Sequence, residues 1–204
     1  MNSYLDLLKV EDFRKVTIMT ATCNKAKLDT AINTSRILKI DSLLCYDFVS
    51  DIISKWRLIN ALTPEDPVPE ELVNYVKLIE GGEYQDCKDK VKNMEGFKTL
   101  WIYYAYGEYT RINHFDDTPN GLVGKTNEFS MPTPNGDVNN FAFKYENMGK
   151  FVFENIKEYL CLNKDLFPKF DACDCVLSCG CVGTCGCGGT KKVTGFKFKV
   201  IKKR

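Results

Sequence analysis

Histidine is almost missing from this chain: His114 stands alone among 204 residues. One copy cannot supply a two-histidine metal site, and a Ser-His-Asp arrangement would have to use His114 itself. Net charge is nearly absent as well, because 28 basic and 27 acidic residues leave a formal +1. The molecule as a whole therefore has no field to draw it onto nucleic acid or an anionic membrane, and any such attraction is local. Long apolar runs are missing, with no stretch near the roughly 18 residues of a membrane span. The opening MNSYLDLLKVEDFRK lacks the basic start and apolar run of a secretory signal, so the expectation is a soluble protein made in the cytoplasm. Neither phosphate-cradling pattern, G-x-x-x-x-G-K-[ST] or G-x-G-x-x-G, occurs. No catalytic or cofactor-binding residue is assigned, and the chain is read as a non-enzyme.

Apolar residues are plentiful, at 44% of the chain, and supply a real core for one domain plus an appendage. Cysteine is plentiful too. Four of the ten, Cys23, Cys45, Cys87 and Cys161, are scattered and read as ordinary core or surface residues. With no secretory signal their thiols are expected to be reduced.

Periodicity predicts a mainly α fold, a bundle of about five helices spanning residues 23–170, with an extended N-terminal arm over 1–22. The arm is inferred from short apolar clusters and the β-branched Val16, Thr17, Ile18 and Thr20. Leu28, Ala31, Ile32 and Leu38 mark the face of a first helix that breaks near residues 40–41. Leu44, Phe48, Val49, Ile52, Ile53 and Trp56 mark a second. After the proline-rich, acidic TPEDPVPEE, a third helix carries Leu72, Val73, Val76 and Ile79 and stops at Gly81 and Gly82. A fourth runs from about 95 to 112; its LWIYYAY centre is apolar on nearly every side, which marks the central helix rather than a base-stacking platform. Residues 114–137 hold three prolines and three glycines and read as a long loop, with His114 as a capping or surface residue and Asp116 and Asp117 as turn formers. The fifth helix shows the clearest stripe, through Val138, Phe141, Ala142, Tyr145, Met148, Gly149, Val152, Phe153, Ile156, Tyr159 and Leu160.

The tail over 171–204 is chemically distinct. Its CDCVLSCGCVGTCGC repeats a C-x-C pair, placing Cys173, Cys175, Cys179, Cys181, Cys185 and Cys187 close enough to grip a soft ion such as zinc. The spacing is not that of a zinc finger. All six positions are odd, so in an extended strand the thiols share one face, and VTGFKFKVIKK alternates in the same way; the tail is expected to be a β-hairpin or an extended ribbon. From Lys191 onward it is basic without an acid, either a protected edge or a contact for DNA or an acidic partner.

Five stretches in order carry a family likeness: AINTSRILKIDSLLCYDFVSDII at 31–53, YVKLIEGGEY at 75–84, GFKTLWIYYAYGEYTRINH at 96–114, TPNGLVGKTNEFSMP at 118–132 and FKYENMGKFVFENIKEYLCLNKDLFPKF at 143–170. They resemble a family of proteins from crAss-like and related phages of gut Bacteroidetes, taken to be head-to-tail connectors. The resemblance covers most of residues 10–170 and leaves the cysteine tail out. It implies a structural virion protein of the neck: copies forming a ring, expected to be dodecameric, below the portal protein and above the next neck or tail ring, with genomic DNA passing non-specifically through the channel and no membrane contact. Assembly would take place in the host cytoplasm. The competing reading of the residues is a thiolate metal-binding or redox module on a helical carrier, which bound metal and unfolding on chelation would reveal. A nucleic-acid-binding regulator is disfavoured by the neutral charge and the lack of a reading motif.

Overall fold

The computed structural model describes residues 4–63, 65, 67–118, 121–124 and 134–170. Among them the fold is mainly helical. The helices are α1 (Val10–Val16), α2 (Lys25–Ser35), α3 (Asp41–Leu44), α4 (Tyr46–Ala61), α5 (Glu70–Glu80), α6 (Gly96–His114) and α7 (Asn135–Leu162). Two antiparallel hairpins interrupt them, β1 (Gly82–Gln85) with β2 (Val91–Met94), and β3 (Phe115–Thr118) with β4 (Gly121–Gly124).

α6 is the central helix that its composition predicts, and α2, α5 and α7 all pack on it. Phe97, Leu100, Trp101, Tyr104 and Ala105 are buried, and the Trp101 Nε1 donates to the Ile32 carbonyl at 3.2 Å. On the α7 side the helices approach closely at two small residues. A Cβ on Gly107 would lie 3.1 Å from the Ala142 carbonyl oxygen, and one on Gly149 would lie 3.0 Å from the Tyr104 ring. α7 buries Ala142, Tyr145, Val152, Ile156, Tyr159 and Leu160 along one stripe. Just past its end, Phe167 seals the bundle, its ring lying 5.4 Å from Tyr75, 6.0 Å from Tyr159 and 6.1 Å from Phe48.

Several expectations need correction. Residues 4–22 are not an extended arm: α1 forms, and Leu7, Leu8 and Phe13 are buried in the core. Asp12 accepts from the Lys9 backbone N–H at 3.1 Å and pairs with Lys98 of α6 at 3.1 Å, so tertiary burial and a cap outweigh the β-branched residues behind them. Leu38, assigned to a buried face, is 62% exposed, because residues Arg36–Ile40 form a π-helical turn that breaks the 3.6-residue period. Val73 is exposed likewise, and Tyr75 and Leu78 fill the core in its place.

The stretch 114–137 is not irregular throughout. β3 and β4 pair across it and α7 begins at Asn135 behind Pro134, while residues 119–120 and 125–133 lie outside the described residues. The β1–β2 hairpin is an addition to the expected plan. Its base is closed by Gly81 (φ +91°) and Gly96 (φ +84°); a Cβ on Gly96 would fall 2.5 Å from the Gly81 backbone nitrogen, so no larger residue fits the turn. Tyr84 packs on Tyr159 at 5.8 Å, and Lys92 pairs with Glu158 of α7 at 2.7 Å. The tail expected to form a hairpin or ribbon lies outside the described residues.

Candidate protein-interaction surfaces

The cysteines proposed as metal ligands, Cys173, Cys175, Cys179, Cys181, Cys185 and Cys187, all lie outside the described residues. Among the described residues no three His, Cys, Asp or Glu side chains gather as a metal site. Of the scattered cysteines, Cys45 is an exposed free thiol and Cys23 a half-buried one. Cys87 and Cys161 are each disulfide-bonded, against the expectation that these thiols are reduced. His114 ends α6, and its Nε2 lies 3.0 Å from the Asn135 Oδ1 at the start of α7. It ties the two helix ends together. Asp116 and Asp117 fall in β3.

The more enclosed carboxylates have structural partners. Glu146, buried between α6 and α7, receives Arg111 at 2.8 Å. Glu158 accepts from Lys92 at 2.7 Å and from the Tyr84 hydroxyl at 3.1 Å. Asp51 accepts from the Tyr75 hydroxyl at 2.5 Å and from Lys169 at 2.8 Å. Burial pushes the Asp51 carboxyl upward, but the hydrogen bonds from Lys169 and Tyr75 outweigh it and hold the group below its ordinary range. These contacts join α4, α5 and the segment after α7, and α6 and α7 to each other. Among the described residues, no helix is long and apolar enough to cross a membrane.

Among the described residues, large apolar side chains are exposed singly at positions such as Ile18, Val73 and Val91, and in closer groups at two faces. The first is the outer face of α7, where Phe143 is 53% and Phe151 64% exposed, eight residues apart and so on one side of the helix. Met148, expected in the buried stripe, is instead exposed beside them, and a shallow groove of about 340 Å³ runs between Phe151, Met148 and Tyr103 of α6. The guanidinium of Arg111 covers part of Phe143, 5.3 Å from its ring centre. Between the two phenylalanines the exposed charges are Lys144 and Lys150, since Glu146 points inward to Arg111.

The second is the face over 37–47, on the other side of α6, where α2 and its π-helical continuation pack. Ile37, Leu38 and Tyr46 are each more than 60% exposed. Arg36 organises this face. Its guanidinium lies 5.2 Å from the Tyr4 ring centre and 5.4 Å from that of Tyr46, and it donates to the Tyr4 hydroxyl and to Ser50 Oγ at 3.2 Å. Its Nε sits 3.4 Å from Asp41 Oδ1, an ion pair too poorly aligned to count as a regular hydrogen bond. Burial raises the Asp41 carboxyl above its ordinary value, and Arg36 offsets this only in part. The next residue after α3, Cys45, takes φ +63°, rare for a side chain with a Cβ, and turns the chain into α4. A cleft of about 450 Å³ continues from Asp47 past Asp51 to Lys169.

The π-helical turn, a backbone outlier and exposed aromatic and aliphatic residues thus fall within one short stretch. Such departures from ideal geometry concentrate at functional positions. Sequence periodicity misses both faces. A signal was present in α7, where Phe143 and Phe151 fall out of phase with the buried stripe.

No curated protein and no solved structure matches the chain. Residues 40–179, which run from the last residue of the π-helical turn past the end of α7, match a family described as a family of unknown function (DUF6712), and the chain belongs to that family.

Proposed function

We propose that the chain is a non-enzymatic structural subunit of a head-to-tail connector ring, set below the portal in the neck of a tailed phage, with the genome passing through the central channel. The observation that carries this reading is the pair of unlike apolar faces on the two sides of α6. A cyclic ring is made by heterologous contacts, in which one patch meets a different patch on the next copy and the rotation closes. A subunit for such a ring needs two separate patches and a body stiff enough to keep the angle between them. The buried aromatic seam through Trp101, Tyr104, Tyr106 and Tyr145 supplies that stiffness. Likeness of the stretches between 31 and 170 to phage connector proteins adds support and suggests twelve copies. The partners are then further copies, the portal protein, the next neck ring and, non-specifically, DNA.

Negative-stain electron microscopy of the purified full-length protein tests the reading. Closed rings with a central hole are expected. Two-fold dimers, or a monomer that persists at high concentration, would count against it.

A further inference from the structure

We infer that Cys87 and Cys161 fasten the chain's own cysteine-rich tail to the body, each through a disulfide to one of the six cysteines over 173–187. The inference stands apart from the ring reading. Both cysteines are disulfide-bonded, and the other two in the body, Cys23 and Cys45, are free thiols. Their partners are therefore one another or the tail, which holds every remaining cysteine of the chain. The two sit at one end of the bundle. Lys92 bridges Asp86 at 3.5 Å and Glu158 at 2.7 Å; Cys87 follows Asp86 directly, and Cys161 lies about one helical turn beyond Glu158.

Strand parity disfavours a bond between the two. Tyr84 and Asp86 are buried and face α7, Tyr84 through the Tyr159 ring and the Glu158 carboxylate, Asp86 through Lys92. Gln85 between them is exposed, and Cys87, which shares its parity, is out of phase with the side that meets α7. The Asp86 side chain also accepts from the backbone N–H groups of Lys88 and Lys90, which fixes the turn that carries Cys87. The tail can reach both. Phe167 packs on Tyr159 and Phe170 is the last described residue, so the chain leaves the body near the end of α7. Cys173 and Cys187 lie three and seventeen residues further on, a reach of about 10 Å to about 55 Å in extended chain. Each bond forms as two thiols give up two electrons and two protons to a low-molecular-weight disulfide, which leaves as two thiols. A reducing thiol runs the exchange backwards and frees the tail, together with the basic segment from Lys191 onward.

The test uses the full-length protein, incubated with a low-molecular-weight disulfide, alkylated in denaturant without reduction, digested with trypsin and mapped by mass spectrometry. Cleavage at lysine places Cys87 in residues 78–88, Cys161 in 158–164 and all six tail cysteines in 170–191. Peptides 78–88 and 158–164 are each expected joined to 170–191, with Cys23 and Cys45 alkylated and the chain running as a monomer on a denaturing, non-reducing gel. In the Cys87→Ser variant the link from Cys161 to 170–191 should persist, because Cys87 is not its partner. Peptide 78–88 joined to 158–164, or Cys161 alkylated in the Cys87→Ser variant, would overturn the inference. Links found only in covalent dimers, or free Cys87 and Cys161 thiols in the oxidised full chain, would overturn it as well.

Discussion

The aromatics of α6 and the outer phenylalanines of α7 are alike in kind and opposite in placement. Trp101 is fully buried, with its one polar atom bonded to the Ile32 carbonyl, whereas Phe143 and Phe151 leave more than half of their surface to water. α2, α5 and α7 all pack on α6, so most of its length is buried. Among the described residues α7 packs on α6 and on the β1–β2 hairpin, and Phe143 and Phe151 point away from both. The same chemistry serves the fold in one place and stays at the surface in the other, where the proposed ring reading would set it against a neighbouring copy, as large apolar side chains grouped on a surface suit an interface.

The sharpest way to break this contrast is to empty the core. Trp101→Ala should destabilise by about 3–5 kcal/mol, from the cavity and from the Ile32 carbonyl left without its donor. Equal denaturant midpoints for variant and parent would show that α6 is not central. Overpacking should do less. Gly107→Leu pushes against the Ala142 carbonyl and should remove about 1–3 kcal/mol, while Gly136→Ala, at a position with nothing within 4 Å, should be neutral or slightly stabilising. Equal melting shifts for the two glycine variants would argue against the close approach of α6 and α7.

Acid should act more weakly, through Asp51. Its carboxyl lies below the ordinary value of 3.8 in the folded chain, so the stability it contributes is present above that value and lost as pH falls through the depressed one. Denaturant midpoints followed from pH 6 downward should fall less steeply for Asp51→Asn than for the parent. Matching acid limbs would mean that the ties from Tyr75 and Lys169 are not made. The smallest effect on stability is expected at the exposed face: Phe143→Ser with Phe151→Ser should shift folding by no more than about 0.5 kcal/mol. A large loss of stability there would place these rings in the core and dissolve the contrast.

The inside of this protein was largely legible from periodicity, and the outside was not. The stripe from Leu44 through Trp56 is buried as its spacing implies, and the all-round apolar centre of α6 correctly marks the middle of the bundle. What escaped depends on tertiary contacts or on departures from ideal geometry. α1 is short, and its burial follows from docking on α6. The strands GEYQ and VKNM have little strand propensity and depend on Tyr159 and Glu158 of α7 to hold them. The π-helical turn rotates Leu38 out of phase, and period counting has no means of anticipating that. Of the candidate sites, the cysteine tail was the loudest signal in the sequence and lies outside the described residues, so the surfaces described are those of residues 4–170. Out-of-phase aromatics such as Phe151 read as noise until the neighbouring helices are in place.

One measurement bears most directly on the claim that the exposed faces exist for self-assembly: native mass spectrometry of the full-length parent beside the Phe143→Ser, Phe151→Ser double variant, with thermal melts of both. A single closed oligomer for the parent, and a monomer that melts within a degree or two of the parent for the variant, is the predicted result. The same oligomer in both proteins, or a monomeric parent, would contradict it.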